Sequence, residues 1–204
     1  MHISWLGNTS IKLQVKPLDI DITIVIDPYK QEKGNFPRSL TPNIALFTRT
    51  AKNSITLSGN PYILDTAGEI DTKDILITAT EGHEEGRFML RIDAEKMSIG
   101  HLGLTNKELT DKQIELLTNI DILFIPIGHE KSYTAETAIK IINSLEPRIV
   151  IPMAFKSDND PEAKEITNFL KEMGKKDLEA EKKVIVKKKT LPEEEMQIIL
   201  LEKE

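Results

Sequence analysis

Over the first hundred positions the apolar residues alternate with polar ones or bunch in runs of strand length. Residues 2–6, 11–15, 22–26, 44–48, 75–79, 88–93 and 96–99 are rich in β-branched and aromatic side chains. Each run is bounded by Gly, Pro, Asn or Asp, so each predicts a strand. After residue 110 the period changes. Thr110 suits a helix N-cap, and 111–117 sets Ile114, Leu116 and Leu117 toward one side, which predicts a helix. A buried strand is predicted at 120–127, a helix at 134–145 with Ala135, Ala138, Ile139 and Ile142 at helical spacing, and another buried strand at 148–153. Strand, helix and strand in that order imply parallel pairing with the helix packed across it. Pro161 at a first helical position and Gly174 as a stop predict a third helix over 161–173, burying Ile166, Phe169, Leu170 and Met173. The tail predicts strands at 184–186 and 196–201 around a turn at Leu191-Pro192. The Lys run at 187–189 and the Glu run at 193–195 flank that turn as solvated faces that pair across a hairpin.

Composition narrows the classes. With 204 residues, 39% hydrophobic and 29% charged, the chain is expected to form one domain over 1–204 whose core needs no disulfide or metal. A net charge of -6 argues against nucleic acid as a partner. The absence of cysteine removes disulfides, thiol nucleophiles and thiolate metal sites together. The N-terminus lacks the basic start and apolar core of a signal peptide, and no run approaches the roughly 18 apolar residues of a membrane span. The expectation is a cytoplasmic protein without a membrane partner.

Local motifs for common chemistries are missing. There is no Gly-Lys-Ser/Thr phosphate loop, no Gly-x-Gly-x-x-Gly turn and no Gly-x-Ser-x-Gly elbow. The four histidines, His2, His83, His101 and His129, are never two to four residues apart, so no local chelate is written in the chain. Asp27 stands out by position, closing the run ITIVID before Pro28. An Asp at a strand end serves as a cap, a turn former or a site residue.

Seven tags nevertheless occur in a telling order: WLGNTS (5–10), IVIDPY (24–29), ALFTRTAKNS (45–54), DTAGE (65–69), IGHLG (99–103), DILFIPIG (121–128) and IVIPMAF (149–155). Together they span most of the chain and resemble metallo-β-lactamase-fold hydrolases. Within these the similarity is to the branch of predicted zinc-dependent hydrolases that are like ascorbate 6-phosphate lactonase. The resemblance implies an α/β (α+β) fold, a four-layer αββα sandwich with its metal site on loops along one edge, and zinc or manganese in intact relatives.

The ligand motifs depart from that pattern. Intact relatives carry Thr-His-x-His-x-Asp-His, which grips two metal ions and a bridging hydroxide. Here Arg49, Ala51, Asn53 and Ser54 stand at the four donor positions. The family's His-Leu-Gly-Asp becomes His101-Leu102-Gly103-Leu104, which keeps the His and loses the Asp. Ile-Pro-Met-His-Tyr becomes Ile151-Pro152-Met153-Ala154-Phe155, and Gly-His-Ser becomes Gly7-Asn8-Thr9. Only His101 matches a ligand. Asp27 and Gly68-Glu69 are retained, and Asp27 is expected either to pair with Arg49 or to leave it facing solvent.

Three functions follow, in order of expectation. The first is a non-catalytic member of the family, with no cofactor, that acts by binding, with a second copy or an active paralogue as partner. The second is a small-anion pocket in the former metal cavity, drawing on Arg49, Lys52 and His101. The third is a hydrolase of an ester, lactone or phosphorylated small molecule, with an altered metal site in which His83, His101 and His129 converge.

Overall fold

The computed structural model describes all 204 residues. The first half supplies β1 (His2–Gly7), β2 (Ser10–Val15), β3 (Ile22–Ile26), β4 (Ser39–Leu40), β5 (Ile44–Leu46), β6 (Thr56–Leu57), β7 (Tyr62–Leu64), β8 (Gly68–Thr72), β9 (Ile75–Glu81), β10 (Phe88–Ala94) and β11 (Met97–His101). The second half alternates α1 (Asp111–Leu116), β12 (Ile122–Pro126), α2 (Ala135–Leu145), β13 (Ile149–Met153) and α3 (Thr167–Glu172). It closes with β14 (Ala180–Glu181), β15 (Val184–Ile185), β16 (Gln197–Ile198) and β17 (Leu200–Leu201).

Two mixed sheets carry the fold, one of six strands ordered β15-β1-β2-β3-β5-β7 and one of seven ordered β16-β13-β12-β11-β10-β9-β8. Ile3, Leu13 and Ile24 of the first and Ile77, Ile92 and Ile99 of the second belong to one apolar cluster of 51 buried residues. The sheets therefore face each other across a shared core. Both β12 and β13 are buried at every position, as strands covered on both faces must be. The cover is α2, which crosses between these parallel strands, buries Ala138, Ile141, Ile142 and Leu145, and packs against α3. Thr110 caps α1 in a reciprocal capping box with Gln113, and Thr134 caps α2. This is the mixed-sheet α/β sandwich that the family resemblance implied. No helix is long and apolar enough to cross a membrane.

Two local expectations fail. The third helix begins only at Thr167, because the backbone before it is committed elsewhere: Lys164 donates its N–H to the Gly128 carbonyl at 2.9 Å and accepts from Lys156 N–H at 3.1 Å. The tail makes no hairpin. Strand β15 pairs with β1, whereas β16 pairs with β13 in the other sheet. Lys188 reaches not a glutamate of the 193–195 run but Asp121, at 3.0 Å.

Strands β3 and β5 run parallel, and so do β11, β12 and β13. Contacts between the sheets put both sets of carboxyl ends on one edge: Ala154 N–H donates to the Asn8 carbonyl, and Gly103 lies against Thr48. In open α/β sheets ligands bind outside such ends.

Candidate functional site at the strand ends

Asp27 follows β3 directly and is buried, with a left-handed backbone at φ 51°. Its carboxylate accepts from the Thr48 amide at 2.7 Å, from the Thr48 hydroxyl at 2.6 Å and from the Thr9 hydroxyl at 2.7 Å. A buried carboxylate requires such donors, and here they tie the β1–β2 turn to the ends of β3 and β5.

His101 closes β11 and is wholly buried. Its Nδ1 accepts from the Gly103 amide at 3.1 Å, which leaves the proton on Nε2, donated to the Thr9 carbonyl at 3.0 Å. Burial holds its pKa below the ordinary imidazole value against the opposing charge of Asp27, so the ring is neutral.

The loop after β5 folds back on Tyr29. The Tyr29 hydroxyl donates to the Arg49 carbonyl at 2.8 Å and accepts from the Arg49 amide at 3.1 Å, while the Arg49 guanidinium lies 3.7 Å over the Tyr29 ring. Burial, with the Asp27 charge adding to it, pushes the phenol above its usual range, so it stays protonated. Arg49 thus makes neither the expected pair with Asp27 nor a solvent-facing arm. Ala51, Asn53 and Ser54 form the following turn, in which Ser54 N–H bonds to the Ala51 carbonyl and the Asn53 carbonyl accepts from Lys30. Lys52 is exposed on that turn.

Asn8, Asp27 and Ala154 hold left-handed backbone at this edge, at φ 48°, 51° and 59°. Such backbone costs a non-glycine residue about 1 kcal/mol or more and gathers at functional sites. Ala154 is fully buried, and its carbonyl accepts from His129 N–H at 2.9 Å. His129 itself turns to Asp160, 3.8 Å away.

A cleft of about 220 Å³ opens beside Thr48 and Leu104, walled by the β9–β10 loop with His83, Glu84 and Arg87 and by Lys107 and Lys131. Of the residues singled out from the sequence, His83 and Leu104 line it. Arg49, Lys52, Asp27, His101 and His129 do not. The expected convergence of His83, His101 and His129 is absent, and no group of three or more His, Asp or Glu side chains is placed to hold a metal. Sequence reasoning missed Arg87, Lys107 and Lys131, which sit on three separate loops and share no motif.

Residues 2–154 match the model of the β-lactamase superfamily domain. The chain belongs to the metallo-β-lactamase superfamily. This superfamily member is 21% identical, over 85% of its length and 93% of the relative's, to a UPF0173 protein of Methanopyrus kandleri named a metal-dependent hydrolase. It superposes with a TM-score of 0.80 and 21% identity on a protein of Thermotoga maritima assigned as a Zn-dependent hydrolase of the same superfamily, covering 98% of this chain and 99% of the other. An isothiocyanate hydrolase from gut bacteria of Delia radicum matches at TM-score 0.61 and 14% identity, over 100% of this chain and 97% of that one.

These names correct one expectation. An assignment of no cofactor does not stand for a chain whose relatives are named metal-dependent and Zn-dependent hydrolases. The donor set of this chain does not fit the ion those names imply. Arg49, Ala51, Leu104 and Ala154 offer it no donor, and both ring nitrogens of His101 are engaged by backbone.

Proposed function

We propose that this superfamily member acts by binding a small ligand at its strand-end edge, without hydrolysis by the residues of that edge. The observation that carries the reading is the engagement of His101. The one imidazole at a family ligand position donates to the Thr9 carbonyl and accepts from the Gly103 amide, so it has no nitrogen free for an ion, a water or a substrate. Asp27 is likewise saturated by Thr9 and Thr48 and is not free to act as a base. The edge then serves as a rigid frame for the cleft beside it. Association with a second copy is part of the same proposal, read by light scattering of the purified chain.

The second reading is a hydrolase of an ester, lactone or phosphorylated small molecule, favoured by the names of the relatives. Hydrolysis assays on these three substrate classes separate the readings, run on protein as purified and after loading with zinc or manganese. Turnover no greater than that of His101→Ala supports the binding reading. Turnover that His101→Ala abolishes overturns it.

A further inference from the structure

The cleft beside Thr48 is net positive in an acidic chain. In a protein of net charge -6, it is walled by three cations, Arg87, Lys107 and Lys131, and one carboxylate, Glu84. Glu84 is 3.6 Å from Arg87 and offsets it in part. Lys107 and Lys131 take part in no ion pair. Unpaired cations crowded into one concavity repel each other and concentrate counter-charge.

The walls are held in place. Phe88 N–H donates to the Thr48 carbonyl at 2.7 Å, Arg87 bridges to Arg49 through the backbone, and Gly82 N–H closes the loop on the Arg87 carbonyl at 2.6 Å. On the opposite side the Tyr133 hydroxyl donates to the Lys107 carbonyl at 2.8 Å. Within this frame the His83 Nε2 atom is buried and has no hydrogen-bond partner. Buried polar atoms are nearly always satisfied, so an orphan on a residue of the cleft wall is a spare hydrogen-bonding group.

We infer that the cleft is a binding site for a small doubly charged oxyanion, held by Arg87, Lys107 and Lys131 with the His83 ring as a further hydrogen-bonding group. The inference rests on the binding reading above and names its ligand class. Three cations against one carboxylate leave two positive charges, which a dianion neutralises and a monoanion does not. The cleft of about 220 Å³ has room for a phosphate or a short dicarboxylate. Arg87 supplies a planar fork, and the lysines supply point charges that adapt to either shape.

Calorimetric titration with inorganic phosphate, succinate and acetate at low ionic strength tests the site. Phosphate and succinate are expected to bind one per chain, and acetate about tenfold more weakly or worse, with affinity falling as salt is added. Lys107→Ala and Lys131→Ala should each weaken phosphate binding by about fivefold or more, and Arg49→Ala should leave it unchanged. Both lysines are exposed, so the variants should keep the wild-type melting temperature. Absence of phosphate and succinate binding, or affinities unaltered in both lysine variants, overturns the inference. Turnover dependent on His101 in a protein that still binds phosphate at the cleft would remove the binding-only reading and leave the site intact. Absence of anion binding in a protein without turnover would remove the site alone.

Discussion

The Nε2–H of His101 is donated to the carbonyl of Thr9 at 3.0 Å, joining the end of β11 in one sheet to the β1–β2 turn of the other. The ring is wholly buried and its pKa is lowered by burial, so protonation is linked to unfolding. The folded value lies below the unfolded value of about 6.5, hence this contribution is complete above that pH and is lost as pH falls below it. Urea denaturation at pH 7.5 and 5.5 should show wild type losing stability at the lower pH more steeply than His101→Phe. At pH 7.5 the variant should be about 2–3 kcal/mol less stable, since the Thr9 carbonyl and Gly103 amide lose their buried partner.

Asp27 should be the most costly polar position at this edge. Asp27→Ala leaves the Thr9 hydroxyl and both Thr48 donors without an acceptor, for a loss of about 3–5 kcal/mol. Asn suits φ 51° and keeps one acceptor, so Asp27→Asn should lose less than half as much. Chemical denaturation of the two variants checks the order. Equal losses would show that the full carboxylate, not one retained acceptor or backbone fit, is what the Thr9 and Thr48 donors require.

Arg49 should matter to stability and not to anion binding. Its guanidinium lies 3.7 Å over the Tyr29 ring, a contact of about 1 kcal/mol when partly desolvated. Arg49→Ala should lower stability by about that amount, with Arg49→Lys in between. A weakened affinity for phosphate in either variant would return Arg49 to the cleft.

Anion binding should be coupled to protonation of His83. Burial and then the charge of Lys107 hold its pKa below the ordinary imidazole value, with Glu84 opposing and Arg87 and Lys131 sharing the cleft. A bound dianion favours the protonated ring, so binding takes up a proton. Succinate affinity should therefore rise as pH falls from about 8 to about 6, and the proton uptake should appear in calorimetry as a dependence on the buffer's ionisation heat. His83→Gln should abolish that dependence. A pH-independent affinity would place His83 outside the binding event.

Tyr133 should tune the cleft from behind. Tyr133→Phe removes the hydroxyl that fixes the Lys107 carbonyl, frees the loop carrying that lysine, and should weaken phosphate binding by about two- to fivefold through lost preorganisation. Faster amide exchange around residues 105–107 would accompany it.

The strands at 22–26, 88–93 and 148–153, the α2 helix and the parallel crossover were legible because apolar spacing reports a local period directly. The ordered tags also marked Arg49, Ala51, Leu104 and Ala154 as the positions where the resemblance places ligands. Less visible were the short strands β4, β6 and β7 and the longer edge strand β8, where Tyr62, Ile63 and Glu69 are exposed and the period is faint. Helix α3 was overextended because Pro161 marks a sound start while Lys164 answers to Gly128, more than thirty residues earlier in the chain.

The sequence by itself determined most of the long strands, the central strand-helix-strand crossover and Asp27 as a strand-end residue, and its ordered tags implied the class of fold and the positions Arg49, Ala51, Leu104 and Ala154 as places to examine for ligands. These are properties of short windows and ordered tags. Tertiary structure alone decided that Arg49 lies on Tyr29 and not on Asp27, that His101 spends both nitrogens on Thr9 and Gly103, and that His129 turns to Asp160. It also brought Arg87, Lys107 and Lys131 to one cleft from three loops. The physical reason is that a side chain's charge and hydrogen-bonding capacity are written in its residue type. Its partner is chosen by distance, and distance at this edge is set by the register and parallel order of strands far apart in the chain.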